Sequence, residues 1–293
     1  MADPVHTTLR IADLIVALRS DQPTEALRLE PACKDFACTG APDVVVVAHH
    51  GALPEISLRE EERVFDSEAV WSLYAADGRY VFAFRSFVFG PEPYGLAVFD
   101  RDFRRADVYS RDVGSGPEAG PPPNPLAFPL SEVLMVCLLA QRRGLMVHAC
   151  GIDDEGRGYL FAGNSTHGKT TTARLWRDRA RILNDDRIVL RPRDGRLWLY
   201  GTPWHGDYTG VSPGGVPLER VFFLRHAAAN EARPVTGAAA AAMLLARCFP
   251  PLWDAAGMAY TLEVCAQVAA TVPCYDLGFV PDGAAVDFVR CVR

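Results

Sequence analysis

Residues 163–170 read Gly-Asn-Ser-Thr-His-Gly-Lys-Thr, which fits G-x-x-x-x-G-K-T without a gap. A loop of this kind turns backbone N–H groups inward, toward an anion at a helix N-terminus. Lys169 then reaches the β- and γ-phosphates of a nucleotide, and the Thr170 hydroxyl holds Mg2+. Gly163, Asn164, Ser165, Thr166, His167, Gly168, Lys169, Thr170 and Thr171 are the candidate nucleotide-binding residues. The motif is credible only between a strand and a helix. The apolar run 158–162 before it and the helical pattern 171–177 after it supply that setting.

Fifteen residues after Thr170, Asp185 and Asp186 close the apolar run 181–184. One short crossover helix fills that gap, so a parallel βαβ unit would set the pair beside the loop. One carboxylate there can hold Mg2+, and the other can take a proton from an attacking hydroxyl. Close like charges would push one of the two pKa values up. His148 lies on the preceding run 145–152; without further context it reads equally as a core histidine bonded to a backbone carbonyl. The segment 201–207, Gly-Thr-Pro-Trp-His-Gly-Asp, is rich in hydrogen-bonding groups. It reads either as a substrate loop, through Thr202 and His205, or as a rigid proline turn around a packed Trp204. Arg225, after the run 221–224, is a candidate for neutralising phosphate charge or a surface arginine.

The elements around these residues fall into two blocks. Residues 1–112 read as a mainly antiparallel α+β domain. Apolar residues at 9, 11, 14, 15 and 18 have a helical spacing over 8–18. The run 44–48 is a strand, Asp77-Gly78 marks a hairpin between 71–75 and 80–84, and 87–89, 96–99 and 106–109 continue as strands. His49-His50 reads as a loop end rather than a metal pair, since neighbours on a strand point to opposite faces. Residues 113–125 are a Pro/Gly linker. Residues 126–293 form the second domain. Its first helix spans 131–143, with Ser131 as N-cap, Gly144 as stop and apolar residues nearly all round, which predicts burial between the two halves. Strands follow at 145–152, 158–162, 181–184, 188–191, 196–200, 221–224 and 274–277, and helices at 238–249 and 284–292.

The chain has 293 residues and a formal net charge of −6, with 49% hydrophobic and 23% charged residues. That length suits two domains with real cores. The negative balance argues against nucleic acid as a partner. No apolar run reaches membrane-spanning length, and Met1-Ala2-Asp3-Pro4 lacks a basic, apolar targeting pattern. Eight cysteines occur without a C-x-x-C pair, which suits free thiols in a reducing cytoplasm.

Three stretches together resemble the HPr kinase family of bacterial serine kinases, which shares its fold with phosphoenolpyruvate carboxykinases. They are 144–149 (GLMVHA), 161–170 (FAGNSTHGKT) and 182–187 (ILNDDR), and a looser likeness runs on to about 225. The Gly-Thr-Pro-Trp segment resembles one in the HPr-kinase-related kinases of modified-peptide biosynthesis, such as those for lasso peptides. The resemblance implies an α/β (α+β) phosphate-loop kinase core that uses ATP and Mg2+. It implies phosphate and metal binding by Lys169 and Thr170, Asp185 as the base, Asp186 as a metal or supporting group, and His148 near the transferred phosphate. The acceptor would be a serine on a peptide or small protein, with the N-terminal half docking substrate or forming a homo-oligomer. A small-molecule kinase, for instance of free serine, and a nucleotide-responsive binding protein remain open. Thr166 stands where that family usually has glycine, so its backbone angle should be unusual. No segment resembles the downstream signature loop of the bifunctional enzymes, which argues against reverse phosphorolysis and against HPr as acceptor.

Overall fold

The computed structural model describes residues 6–20, 27, 29–111 and 126–292. The chain is a mixed α/β protein with two large sheets and few helices. It divides into two compact units, Met1–Arg10 with Leu14–Cys137, and Ile11–Asp13 with Leu138–Arg293. The Pro/Gly stretch 113–125 lies outside the described residues.

The first unit carries β1 (His6–Ile11), β2 (Leu14–Ser20), β3 (Val44–Gly51), β4 (Arg63–Asp66), β5 (Trp71–Ala76), β6 (Arg79–Phe84), β7 (Gly95–Phe99) and β8 (Arg105–Arg111). They form one sheet in the order β1-β2-β3-β8-β7-β6-β5-β4. From β4 to β8 the pairings are antiparallel, but β2–β3 and β3–β8 are parallel, so the sheet is mixed. The helix expected over 8–18 is instead the end of β1, a two-residue turn at Ala12-Asp13 and the start of β2. Ala12 and Asp13 take positive φ of 51° and 58°, a hairpin geometry made without glycine. The hairpin at Asp77-Gly78 is present, with φ of 48° and 75°. Residues Phe87–Phe89 form a 3-10 turn rather than a strand, with Phe87 and Val88 fully in solvent. The two histidines lie inside β3, where His49 Nε2 meets Asp107 Oδ1 at 2.9 Å.

Helix α1 (Leu130–Ala140) is buried along its length except at its third and last residues. The second unit then builds β9 (Leu145–Asp154), β10 (Arg157–Ala162), α2 (Lys169–Trp176), β11 (Arg181–Asn184), β12 (Arg187–Arg193), β13 (Arg196–Tyr200), β14 (Gly215–His226), β15 (Glu231–Val235), α3 (Gly237–Leu245), α4 (Ala255–Thr271), β16 (Cys274–Phe279) and α5 (Ala284–Cys291). The long strands β9 and β14 each serve two sets of neighbours. Their outer parts join β12 and β13. Their inner parts complete a row β11-β9-β10-β14-β16-β15.

Within that row β10, β14 and β16 are mutually parallel, and β11 shares their direction because both β10 and β11 run antiparallel to β9. The carboxyl ends of four strands therefore reach one edge of the sheet. The expected βαβ unit is present in direction, but β9 sits between its two strands. Side chains alternate between two cores, as strand geometry requires. Phe161, Phe222, Leu224, Tyr275 and Leu277 face α2 and α5, while Leu160, Val221, Phe223 and Cys274 face α3 and α4. Helices thus cover both faces, the layered arrangement that hides parallel strands from water.

Candidate functional site

The chemistry-bearing residues collect where β10 and β11 end. Residues 163–168 leave β10 and enter α2 through Gly168, whose φ is 98°. A Cβ there would come within 2.9 Å of the Phe279 ring, so glycine is required by both angle and space. Thr166 also takes a left-handed φ, 71°, the unusual angle expected of it and a strained one for a β-branched residue. Lys169 folds back over the loop, its Nζ donating to Gly163 O at 3.0 Å and Asn164 O at 3.1 Å. Burial draws its ammonium below the usual lysine value, against the opposing charges of Asp186 and Asp185. Asn164, Ser165 and Thr166 are exposed, Thr171 is half-buried on α2, and His167 is held by Nδ1 against Leu224 O at 3.1 Å.

The two aspartates have different surroundings. Asp185 is only 1% exposed. Its Oδ2 accepts from the Thr170 hydroxyl at 2.8 Å and from Tyr208 N at 3.1 Å, and its Oδ1 accepts from Gly206 N at 2.8 Å. It therefore joins helix α2 to the loop 201–208. Asp186 faces outward from the next position. Its Oδ1 lies 2.9 Å from His148 Nε2, and its Oδ2 lies 3.4 Å from Arg187. The upward push expected from two neighbouring carboxylates is not what Asp186 shows. Burial raises its carboxyl, but the hydrogen bond from His148 and the charges of Arg187, His148 and Lys169 outweigh that and hold it below the usual range.

A depressed folded value gives a stabilising contribution that is full above the ordinary carboxylate range and lost as pH falls through the folded value. Asp186→Asn is therefore expected to flatten the loss of stability on acidification from about pH 6 to pH 3. Urea melts across that window would show it, and an unchanged slope would contradict the pairing.

His148 is placed by an unexpected neighbour. After α3 the chain runs along β9: His148 N donates to Arg247 O at 2.7 Å, and Phe249 N donates to Met146 O at 2.9 Å. The Phe249 ring stands 6.2 Å from the imidazole, and the Arg187 guanidinium lies over the Phe249 ring, 5.6 Å from its centroid. The histidine is thus fixed by an aspartate rather than by a backbone carbonyl.

Asn184, absent from the sequence-based candidates, holds the centre together. It is fully buried. Its Nδ2 donates to Thr202 O and Trp204 O, both at 2.9 Å, and its Oδ1 accepts from Asp186 N at 2.7 Å and Arg187 N at 2.8 Å. One amide thereby fixes both the turn of the acid pair and the loop after β13. Its position directly before the two aspartates was the only available signal.

Two of the candidate side chains, Thr202 and Arg225, have partners of their own. Thr202 is completely buried and its hydroxyl donates to Arg187 O at 2.8 Å, so its side chain braces the fold. Arg225 is engaged by Glu231 and Asp276. It lies on β14, on the opposite side of β10 from the acid pair. His205 remains half-buried at the loop, its Nδ1 2.7 Å from Gly206 O. The loop's contribution to the centre is its backbone, through Gly206 N and Tyr208 N.

The oxygen donors of Thr170, Asp185 and Asp186 suit a hard divalent cation such as Mg2+, which is commonly held by one or two carboxylates together with substrate phosphates. Among the described residues no cluster of three or more His, Cys, Asp or Glu forms a self-sufficient metal cage. Cys150, on β9 nearby, is fully buried, and burial followed by the charge of Asp185 pushes its thiol far up, so it is no nucleophile. Among the described residues no helix is long and apolar enough to cross a membrane.

Residues 128–284, more than half of the chain, match the family model described as SynChlorMet cassette protein ScmC. No curated protein matches the sequence. Among solved structures, the HPr(Ser) kinase/phosphatase from Coxiella burnetii is similar over 50% of this chain and 90% of that one, at 12% identity and a TM-score of 0.30. So loose a superposition carries no argument. The sequence match is to ScmC, and the likeness to an HPr kinase is a structural one only.

Proposed function

We propose that this chain, which belongs to the ScmC family, is an ATP- and Mg2+-dependent kinase that phosphorylates a serine hydroxyl on a peptide or small protein. The observation that carries this reading is the convergence of Lys169, Thr170, Asp185, Asp186 and His148 on one sheet edge, beside a loop with the phosphate-binding sequence. Lys169 would place a positive charge against the β- and γ-phosphate oxygens. Thr170 and the carboxylates would hold Mg2+, whose charge offsets that of the phosphates.

The hydrogen bonds bear on which group takes the proton. Asp185 already accepts three, which occupy both of its oxygens and suit an anchor for Thr170 and the metal. The base role then falls to the His148–Asp186 pair rather than to Asp185. Asp186 orients the imidazole through Nε2, leaving Nδ1 to accept the proton of the attacking hydroxyl. Among acceptors, a ribosomally made precursor peptide fits the resemblance noted above.

The test is mass spectrometry of an acceptor panel incubated with the protein, Mg2+ and ATP: HPr, free serine, and peptides with internal or C-terminal serine. A gain of one phosphate on a peptide, absent with Lys169→Ala, is the expected result. A gain on free serine alone would make this a small-molecule kinase. No gain anywhere, with ATP still bound, would point to a nucleotide-responsive binding protein.

A further inference from the structure

Two aromatic side chains stand at the same sheet edge on the side the chemistry leaves unused. The edge is ordered β11-β9-β10-β14-β16, so the acid pair lies two strands from the loop-bearing strand on one side. His226 and Phe279 close β14 and β16 on the other side, and they are register partners. Both continue the side-chain series that faces α2, Phe222 and Leu224 on β14, Tyr275 and Leu277 on β16. His226 is exposed. It stands edge-on to His167 of the loop, with ring centroids 5.9 Å apart. Phe279 is half-buried and lies against Gly168 of the same loop. The turns that follow the two strands are tied together by Val280 N donating to Asn230 Oδ1 at 2.8 Å.

A nucleotide is a rod with its terminal phosphate at one end and its base at the other. If Lys169, Thr170 and the aspartates hold the terminal phosphate, the base must leave the loop on the β14–β16 side, at a reach of about two strand spacings, roughly 10 Å. Ligands of open parallel sheets lie across the carboxyl ends of the strands in this way. Flat, partly exposed rings at that spot offer what a base requires, since every base has a π-face to stack.

We propose that His226 and Phe279 form the base-binding subsite for the nucleoside of the phosphate donor, selecting a nucleoside triphosphate over a bare polyphosphate. This rests on the phosphate-loop reading above. The charged groups of the adjoining strands, Arg225 on β14, Glu231 on β15 and Asp276 on β16, are already paired with one another. The subsite therefore discriminates by stacking rather than by charge, and tolerates more than one base.

Calorimetric titrations of the full chain with Mg-ATP and with Mg-tripolyphosphate separate the two ideas. Wild type is expected to bind ATP about tenfold more tightly than tripolyphosphate. His226→Ala and Phe279→Leu, the latter keeping apolar contact with Gly168, are expected to remove most of that difference and leave tripolyphosphate affinity unchanged. Equal binding of both ligands by wild type, or variants that keep the full ATP advantage, would overturn the subsite while the phosphate loop stood. Binding of neither ligand would overturn both.

Discussion

Asp185→Asn is expected to reduce phosphoryl transfer by about a hundredfold or more, because misplacing a reacting group by about 1 Å costs that much. It is also expected to cost about 1–3 kcal/mol of stability, the usual penalty for buried donors left without acceptors. The reason lies in the three donors that converge on this carboxylate, Thr170 Oγ1, Gly206 N and Tyr208 N. An amide has one oxygen, so its NH2 would face the N–H of either Gly206 or Tyr208. Either outcome leaves one backbone donor of the 201–208 loop without its acceptor and loosens the tie between α2 and that loop. A carboxylate serving only as a base would lose transfer and keep its stability. Urea melts beside the transfer assay decide between the two, and a variant as stable as wild type would contradict the anchoring role.

Asn184→Asp changes one heavy atom and is expected to be among the most damaging substitutions in the chain. The wild-type amide points its NH2 at two carbonyl oxygens, Thr202 O and Trp204 O, in a site without solvent contact. A carboxylate oxygen there would face two partial negative charges at hydrogen-bond distance. A buried charge left uncompensated in this way costs about 3–5 kcal/mol. Protonation would restore a donor, so the new carboxyl is held above its unfolded value. The deficit is then largest near neutrality and narrows as pH falls into the ordinary carboxylate range. Chemical denaturation at several pH values would show the trend, and a deficit independent of pH would sink the assignment of the amide's orientation.

Much of the second unit was legible because its signals were local. The loop sequence, the strand before it and the acidic pair after it lie within 158–186 and needed no distant partner to be seen. What failed had weak or misleading local signals. In the first hairpin, Leu9 and Ile11, then Leu14, Val16 and Leu18, alternate on either side of a two-residue turn, and joined end to end they imitate a helical period. Ala12-Asp13 gave no warning, since neither is the glycine that such a turn favours. Helix α4 went unread despite its cap: the Asp254 carboxylate accepts from Ala256 N, a normal N-terminal signal, but two prolines precede it and Gly257 sits in its first turn. Thr202 and Arg225 each kept two readings in the sequence, one facing substrate or phosphate and one structural. Residue type suggested chemistry, and only the long-range bonds to Arg187 O, Glu231 and Asp276 reveal that both are committed to the fold.

The placement of β9 between β10 and β11 also sets an order of assembly. The β9–β10 hairpin closes over a turn of two residues, and β11 can join it without waiting for much more chain. The pairings of β10 with β14 and of β14 with β16 span about fifty to sixty residues, a slower closure. During synthesis the β10-β9-β11 frame that carries the loop and the acid pair can therefore form before β14 joins it. The aromatic side exists only once residue 279 has emerged, and a nascent chain halted between the two would present a loop suited to phosphate with nothing beside it to recognise a base.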